Sequence, residues 1–507
     1  DALRARDEAN RSIRLQAAAL LAFGALAAVG GMVLVSQALR RQLEEDRAVR
    51  RSLRVLGADR SVVRSIAATK GAGVAVLGAV TAVVVAVALS PLTPVGHARR
   101  AEVDPGIAVD ALVLGAGALG IALLVFVRMV APVSFDRRRE AAPALGRPGL
   151  VDRVARVGVP HSVVAGVRAA VVGAGARTVT ATVVVAVLGV VGGLGFAASE
   201  ERLATDEEMW GWTFDAVVGD GNDPTISERA DALLPDDPVV GSYAYVNDFD
   251  DVTVTNGDRE ERTEGTALDV VEGRIEPQML TGRAPATAQE IALGAVTARR
   301  LGVGLGDVLE ADLGDGSEEF TLTGLVVMPL GFDAERIGEG VLLSPEGAER
   351  AGASLEPSFV AVDYAAGVDP AEAYAHLRED WGSTVLRPIR SIDVEQLHAV
   401  RLLPAAFSGL LGAVAVVTLT FVLVLTVRHR RRDLALLRTL GFDSRQLRAT
   451  VAAQATTLVL PAALLGAVLG TVAARLAWRA TAQGMGAPEV HVLPVVAAVG
   501  SVLGALL

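Results

Sequence analysis

The chain has 507 residues, of which 51% are hydrophobic, and its mean hydropathy is +0.44. These values exclude a single soluble globular domain and predict a membrane protein. The sequence contains no cysteine, so disulfides and thiolate metal sites are excluded as well.

Seven long runs without Asp, Glu, Lys or Arg follow one another along the chain. A run of about 18 or more apolar residues is long enough to cross the hydrocarbon core as a helix. We therefore predict seven transmembrane helices, of which the shortest run has 17 residues. The runs are Leu15–Leu39, Gly71–Ala98, Ala111–Val127, Thr178–Ser199, Leu402–Val427, Ala449–Ala474 and Val490–Leu507.

The net charge of −11 combines two oppositely charged parts of the chain. Ser199–Glu395 contains 42 Asp and Glu and 13 Arg, a net charge of −29. The remainder has 16 acidic and 34 basic residues, a net charge of +18. An excess of Arg in short loops marks the cytoplasmic side. Arg40–Arg64, Arg137–Arg177 and Arg428–Arg448 are therefore predicted to be cytoplasmic and the acidic segment extracytoplasmic, and Asp1–Arg14 conflicts mildly with this topology.

The predicted fold class is a polytopic α-helical membrane protein with a mixed α/β extracytoplasmic domain inserted between spans. Its predicted segments are a first span (1–39), a cytoplasmic element (40–70), two spans (71–130), a cytoplasmic linker (131–177), a span (178–199), the extracytoplasmic domain (200–398), a span (399–427), a second cytoplasmic element (428–448) and two final spans (449–507).

Local patterns in the acidic segment predict both strands and helices. Alternation in Asp251–Thr255, followed by Asn256-Gly257, predicts a strand that enters a tight hairpin turn. Phe320–Val327 predicts another strand. Helical periodicity predicts helices over Pro370–Glu379 and Ala288–Leu301. Because the chain has no disulfides, this domain must be stabilised by its own hydrophobic core.

A short element occurs twice, each time on the predicted cytoplasmic side. Arg50–Arg60 recurs as Leu434–Ser444, at an offset of 384 residues. In each copy, two leucines three residues apart lie on one face of a short helix that a glycine ends. Such a helix lies in the lipid headgroups or docks into a partner's groove, and two copies in matching positions favour docking. The coincident residues are Leu53/Leu437, Arg54/Arg438, Leu56/Leu440, Gly57/Gly441, Asp59/Asp443 and Arg64/Arg448.

The second copy resembles the signature of FtsX/MacB-like ABC transporter permeases over His429–Gly441, and the first copy matches it less closely. The acidic segment resembles the MacB periplasmic core domain through Gly282–Pro285, Glu290–Gly294 and Ala298–Gly302. The resemblance covers most of the chain. It implies a large two-module, actinobacterial-type permease, of which this sequence is expected to lack the N-terminal span and the first outer domain.

This resemblance implies a permease subunit in the bacterial plasma membrane, with ATP and Mg bound by the two nucleotide-binding subunits of a separate cytoplasmic ATPase. Movement of the outer domain would export or extract lipid, lipoprotein or peptide. Two alternatives remain open: a mechanotransmission subunit that activates an extracytoplasmic hydrolase without transport, and a carrier that needs no ATPase. The residues predicted to couple to the ATPase are Leu53, Arg54, Leu56, Gly57, Asp59, Leu437, Arg438, Leu440, Gly441 and Asp443.

No catalytic motif is found in the sequence. A Walker A loop requires Gly-Lys-Ser/Thr, but the single lysine lies in Thr69-Lys70-Gly71, so ATP hydrolysis is predicted to occur in a partner. The histidines lack metal-ligand spacing and the acidic clusters lack calcium-loop spacing, so neither a cofactor nor a metal is predicted. Nucleic acid is excluded as a partner, because no basic patch with aromatic residues lies outside the cytoplasmic loops. The histidines are His97, His161, His376, His398, His429 and His491.

Small residues in the last two predicted spans suggest close helix packing. Gly466-x-x-x-Gly470 and Gly500-x-x-x-Gly504 are spaced so that both glycines of each pair lie on one helix face. Asp, Glu, Lys and Arg are missing from all seven runs, although proton- or ion-coupled carriers usually place such residues in mid-span. The runs therefore argue against a self-sufficient carrier.

Overall fold

The structure is a computed structural model that describes residues 59–92, 109–134, 159–172, 176–221, 223–314, 316–328, 336–399, 401–402, 404–413, 416, 439, 442–493 and 495–506. These residues form two compact units. We call them the domain unit, which contains 196–401 and 475–492, and the membrane unit, which contains the described residues up to 195, within 402–474 and from 493 onward.

Among the described residues, the strands lie between positions 216 and 364. The helices are α1 Arg60–Leu89, α2 Ala111–Ser134, α3 His161–Val172, α4 Ala176–Thr205, α5 Ile226–Leu233, α6 Ala295–Leu301, α7 Pro345–Arg350, α8 Pro370–Trp381, α9 Ile392–Ala399, α10 Pro404–Ala413, α11 Ser444–Met485 and α12 Val495–Leu506. The strands are β1 Ala216–Val218, β2 Val240–Asn256, β3 Arg259–Glu272, β4 Met279–Gly282, β5 Glu290–Gly294, β6 Val308–Asp312, β7 Ser317–Val326, β8 Val341–Leu343 and β9 Phe359–Tyr364.

Three helices in the described part of the chain are long and apolar enough to cross a membrane, namely Ser65–Ala88, Val179–Thr205 and Ser444–Met485. The predicted run Ala111–Val127 is a shorter apolar helix. Leu15–Leu39 and most of Leu402–Val427 lie outside the described residues. The sequence did not predict α3, which lies within the linker 131–177.

Helices α4 and α11 pack closely inside the membrane unit. A Cβ added to Gly466 would lie 2.7 Å from the carbonyl oxygen of Val184, and one added to Gly470 would lie 2.9 Å from that of Leu188. These glycines let the two backbones approach, as small residues do between helices in a bilayer. Gly500 and Gly504 meet no described atom within 4 Å. The first small-residue pair therefore packs as the sequence suggested, and the second does not do so against the described residues. The valines and alanines of the interface are Val183, Val187, Val191, Val459, Ala462 and Ala463.

The domain unit is built on a nine-stranded mixed sheet. Its strand order is β1-β9-β2-β3-β8-β5-β7-β4, and β6 pairs with both β2 and β7. The β2–β3 hairpin turns at Gly257, whose φ of +59° suits glycine, so the predicted hairpin is confirmed. The predicted strand Phe320–Val327 corresponds to β7, and the predicted helix Pro370–Glu379 corresponds to α8. The sheet thus confirms the mixed α/β fold expected for the acidic segment.

The two largest hydrophobic clusters of the domain unit lie on different parts of its sheet. One surrounds β5, β7 and α6 and includes the fully buried Leu293, Leu301 and Phe320. The other lies between β9, α5 and α8 and includes Leu377 and Trp381. Burial of a large apolar side chain contributes about 1.5–3 kcal/mol, so these clusters supply the core that a domain without disulfides requires.

The predicted helix over Ala288–Leu301 is wrong in its first half. Glu290–Gly294 forms β5, which pairs in parallel with β7 and antiparallel with β8, and only Ala295–Leu301 is helical. Ile291, Ala292 and Leu293 are all buried, so both faces of this strand are apolar. Such a strand shows no period-2 alternation and cannot be told from a buried helix by its pattern.

An ion pair fastens the turn that leads into β5. Arg283 donates from Nη1 to Oε2 of Glu290 at 2.7 Å and from Nη2 to Oε1. The backbone N–H of Ala286 also donates to Glu290 Oε2, at 2.8 Å. The Arg283 hydrogen bonds, followed by that of Ala286, lower the pKa of Glu290 from 4.5 to about 2. The Gly282–Pro285 segment is thereby held against β5, an interior strand of the sheet.

This ion pair predicts a pH dependence of stability. Because the folded-state pKa of Glu290 lies below its unfolded-state value, the unfolded chain binds more protons at acidic pH. The free energy of unfolding therefore falls as the pH falls from about 4.5 towards about 2. Glu290→Gln removes this contribution, so its thermal midpoint should depend less on pH in this window.

Tryptophan fluorescence can measure this midpoint for the domain unit, because all four tryptophans of the chain belong to that unit. Glu260→Gln serves as the control, since Glu260 is an exposed residue of the β2–β3 hairpin, and it should keep the wild-type pH dependence. An identical pH dependence of Glu290→Gln and wild type would contradict the role of the ion pair.

Candidate functional site

Most of the residues predicted to couple to an ATPase lie outside the described part of the chain. The described members are Asp59 and Asp443, one from each copy of the repeated element. The predicted coupling residues outside the described ranges are Leu53, Arg54, Leu56, Gly57, Leu437, Arg438, Leu440 and Gly441.

Both repeated aspartates lie where a long helix begins. Asp443 precedes α11; its N–H donates to Gln446 Oε1 at 3.0 Å and its carbonyl accepts from Leu447 N at 3.0 Å. A side chain that reaches back in this way from the third helical position forms half of a capping box. Asp59 precedes α1, where Ser61 Oγ donates to Asp59 Oδ2 at 3.0 Å. Each repeated element therefore leads into a helix at an exposed aspartate, and its contact with an ATPase stays a prediction.

At the other end of α11, the helix contacts the α/β fold within the domain unit. A Cβ added to Gly338 would lie 2.2 Å from the carbonyl oxygen of Met485, and one added to Gly486 would lie 2.5 Å from Gly338 Cα. Real Cβ atoms do not approach neighbours within 3.0 Å. Gly486 also has a φ of +78°, the left-handed conformation that ends helices. Both positions in this contact therefore require glycine.

The loop that carries Gly338 is fixed to the sheet by backbone hydrogen bonds. Val296 N donates to the carbonyl oxygen of Gly338 at 2.8 Å, and Gly294 N donates to that of Gly340 at 2.9 Å. Gly294 ends β5 and Val296 lies in the first turn of α6. The end of α11 therefore contacts a loop that is hydrogen-bonded to a central strand.

Charged side chains hold the same loop. Arg300 in α6 donates to both carboxylate oxygens of Glu339, at 2.6 and 3.1 Å. Arg336 Nη1 lies 3.6 Å from Glu339 Oε1. These arginine and glutamate side chains are all less than a third exposed, and a two-pronged arginine–carboxylate pair is geometrically specific. The loop is thus restrained on both sides of Gly338.

The α11 end makes further contacts within the domain unit. Arg299 Nη2 donates to the carbonyl oxygen of Gly484 at 3.4 Å. Trp478 is 1% exposed, and its ring meets that of Phe196 edge to face, with centroids 5.8 Å apart. Such aromatic pairs are worth about 0.5–1.5 kcal/mol beyond the area they bury. The outer part of α11 therefore belongs to the core of the domain unit.

The outer end of α4 joins the same unit. Ser199 Oγ accepts from Val492 N at 3.1 Å and lies 3.2 Å from His491 Nδ1. Arg390 Nε donates to the carbonyl oxygen of Ala204 at 3.0 Å. The predicted runs Ala449–Ala474 and Val490–Leu507 leave residues 475–489 between two spans, whereas α11 continues to Met485 and packs against the domain. The glycine at position 486 was a signal of this helix end, but the sequence contains no sign of its distant partner Gly338.

Comparison with known proteins finds one matching family and several similar proteins. Residues 405–507 match the family described as "FtsX-like permease C-terminal". A protein of Mycobacterium tuberculosis strain H37Rv, named an uncharacterized ABC transporter permease, is 27% identical over 207 residues, which cover 39% of this chain and 52% of that protein. A Mycobacterium bovis protein with the same description gives the same values. The chain thus spans about half the length of the curated relatives it matches.

Two solved structures are also similar to part of the chain. The periplasmic region of MacB from Actinobacillus actinomycetemcomitans is 9% identical, with a TM-score of 0.25, and covers 37% of this chain and 94% of that one. The extracellular domain of the ABC-type transporter YknZ from Gram-positive bacteria is 10% identical, with a TM-score of 0.25, and covers 34% of this chain and 98% of that one.

The family match and the curated relatives confirm the resemblance to FtsX/MacB-like ABC transporter permeases. The apolar helices and the mixed α/β domain confirm the predicted fold class. The expected location, a plasma-membrane protein with an extracytoplasmic segment, is confirmed by the same findings. The nine-segment division of the chain stays a prediction.

The glycine contact predicts a large effect of one methyl group. Gly338→Ala forces the loop and the end of α11 apart, because the added Cβ meets backbone atoms that cannot rotate away. Overpacking of this kind costs about 1–3 kcal/mol, so the thermal midpoint by tryptophan fluorescence should fall. Gly304→Ala is the matched control, since a Cβ there meets one atom at 4.0 Å. Equal thermal midpoints for the two variants would show that the contact at Gly338 tolerates a side chain.

Proposed function

We propose that this FtsX/MacB-like permease is the transmembrane subunit of an ABC complex, in which a separate ATPase drives movement of the extracytoplasmic domain. ATP-driven closure of the two nucleotide-binding subunits moves the repeated elements around Gly57 and Gly441. The helices that follow these elements carry the movement outward. The domain unit then acts on lipid, lipoprotein or peptide outside the hydrocarbon core.

The position of the single lysine supports an external source of ATP energy. Thr69 and Lys70 lie inside α1, and Thr69 Oγ1 donates to the carbonyl oxygen of Ser65, as in an ordinary helix. A Walker A lysine instead follows a glycine-rich loop whose N–H groups bind phosphates. The proposal therefore assigns nucleotide binding to the partner.

The continuity of α11 is the observation that carries the proposal. This helix has 42 residues and begins at Ser444, three residues after the predicted coupling glycine Gly441. It continues through Pro461, which cannot donate a backbone hydrogen bond, and ends next to the contact with Gly338. Residues of one uninterrupted helix thus belong to both units. A displacement at its first turn can reach the domain without passing through a loop.

The composition of the apolar runs supports handling of cargo outside the membrane. Asp, Glu, Lys and Arg are missing from all seven runs, whereas charged residues that serve a transport pathway usually face the bundle interior. The surface of the large acidic domain, outside the membrane, is therefore where cargo would bind. A mechanotransmission subunit that activates an outer hydrolase would use the same helix and the same contact.

The coupling assignment predicts loss of the ATPase from one double variant. Leu437→Ala with Leu440→Ala removes the apolar face of the second repeated element, so the ATPase should no longer co-purify with the full-length protein from its native membrane. Leu464→Ala with Leu465→Ala is the matched control, because it removes two half-exposed leucines from α11. Undiminished co-purification of the first variant would refute the assignment.

Transport and mechanotransmission are separated in vesicles that contain the complex. Export or extraction predicts ATP-dependent movement of labelled lipid, lipoprotein or peptide, and Gly338→Ala should reduce it while ATP hydrolysis continues. ATP-dependent activation of an added cell-envelope hydrolase without cargo movement would instead assign the mechanotransmission function.

A further inference from the structure

Three metal-ligating side chains meet on the surface of the domain unit, far along the chain from the repeated elements. They are Asp237, His376 and Asp380, and one ligand atom of each lies within 4.8 Å of the others. His376 and Asp380 are four residues apart in α8 and therefore lie on one helix face. Asp237 comes from the segment between α5 and β2. No metal site was predicted from the sequence, because Asp237 is far from α8 along the chain and only folding brings the two together.

The first ligand is held in a fixed position. The Asp237 side chain is 6% exposed, and its Oδ1 accepts from Val239 N at 3.0 Å. Its own N–H donates to the carbonyl oxygen of Leu234, and its carbonyl accepts from Val240 N. Leu234 is part of the hydrophobic cluster beneath α8. The carboxylate is therefore oriented by the backbone and by the core.

The helix that carries the other two ligands is also fixed. Asp369 caps α8 by accepting from Ala371 N at 2.9 Å and Glu372 N at 3.2 Å. Leu377 and Trp381, on the adjacent face of α8, are buried in the same cluster. In contrast, the side chain of His376 is 40% exposed and Asp380 is exposed. An ion can therefore reach the three ligands, and water can complete its coordination.

The distance between two of the ligands is compatible with a shared tetrahedral ion. His376 Nε2 lies 3.3 Å from Asp237 Oδ1. A charge-assisted hydrogen bond usually brings N and O within about 2.7–2.9 Å. Two ligands at about 2.0–2.1 Å from a tetrahedral zinc ion are separated by about 3.3 Å. The separation of this pair is compatible with a shared ion, and Asp380 offers a third ligand atom within 4.8 Å of both.

The chemistry of the ligands favours a transition metal. One imidazole nitrogen and two carboxylate oxygens match the donors that Zn²⁺ accepts, whereas Ca²⁺ and Mg²⁺ prefer oxygen ligands alone. Two aspartates also neutralise the charge of a divalent ion. Two arginines near the ligands have other contacts: Arg229 donates to the backbone carbonyl of Asp380 and stacks on the ring of Trp381, 4.5 Å from its centroid, and Arg378 donates to the carbonyl of Gly382.

We propose that Asp237, His376 and Asp380 bind a divalent transition metal ion, with Zn²⁺ as the best-fitting ion and water in the remaining coordination position. The ion joins α8 to the segment between α5 and β2. It therefore stabilises the β1–β9–β2 end of the sheet, independently of ATPase binding.

Zinc titration of the full-length protein tests this site. The protein is purified in detergent through a tag without histidine, stripped with a chelator and titrated with Zn²⁺ by calorimetry in excess Mg²⁺. We expect one saturable site per chain and a thermal midpoint that rises with Zn²⁺. Added Co²⁺ should give the visible absorption of a tetrahedral site, and millimolar Ca²⁺ should not compete.

Two ligand variants and two controls decide the outcome. His376→Ala and Asp380→Asn change exposed side chains, so both variants should fold and bind Zn²⁺ about tenfold or more weakly. Asp236→Asn and His161→Ala change an exposed neighbouring aspartate and an exposed histidine of the membrane unit, and both should bind like the wild type. A missing saturable site, equal weakening in ligand and control variants, or competition by Ca²⁺ would overturn the proposal.

Discussion

The close approach of Gly338 and Gly486 is the constraint on which the described domain unit depends. Because a side chain at either position would meet backbone atoms, the end of α11 and the loop before β8 fit together only without Cβ atoms. Backbone bonds to Gly294 and Val296 and the Arg300–Glu339 ion pair fix this loop to the sheet. The sheet and the outer end of a membrane helix are thus parts of one core.

Sequence patterns predicted the elements whose signals are local. The Asn256-Gly257 hairpin, strand β7, helix α8 and the packing of Gly466 all follow from turn chemistry, alternation, helical period or glycine spacing. The pattern failed at Ala288–Leu301, because β5 is buried on both faces and lacks alternation. Glu290–Gly294 forms a strand because it pairs with β7 and β8 in the folded domain. The local sequence pattern does not show this pairing.

The contacts on which the proposals rest were predicted less completely, because they join residues that are far apart in the chain. The repeat identified Asp59 and Asp443, and the structure places both at the start of a long helix. Gly338 and Gly486 are separated by 148 positions, and neither shows its partner in the sequence. Asp237 and His376 likewise meet only through the packing of α5 and α8. Local motifs therefore predict helix starts and turns, whereas contacts between elements require the fold.

Amide hydrogen exchange of the proposed complex with an ATPase tests the central claim most directly. The account predicts that a non-hydrolysable ATP analogue changes exchange on both sides of the glycine contact, in residues 336–340 and 484–490. It also predicts that Gly338→Ala removes the change in 336–340 while nucleotide binding persists. Unchanged exchange in both segments of the wild-type complex, with nucleotide bound, would contradict transmission through α11.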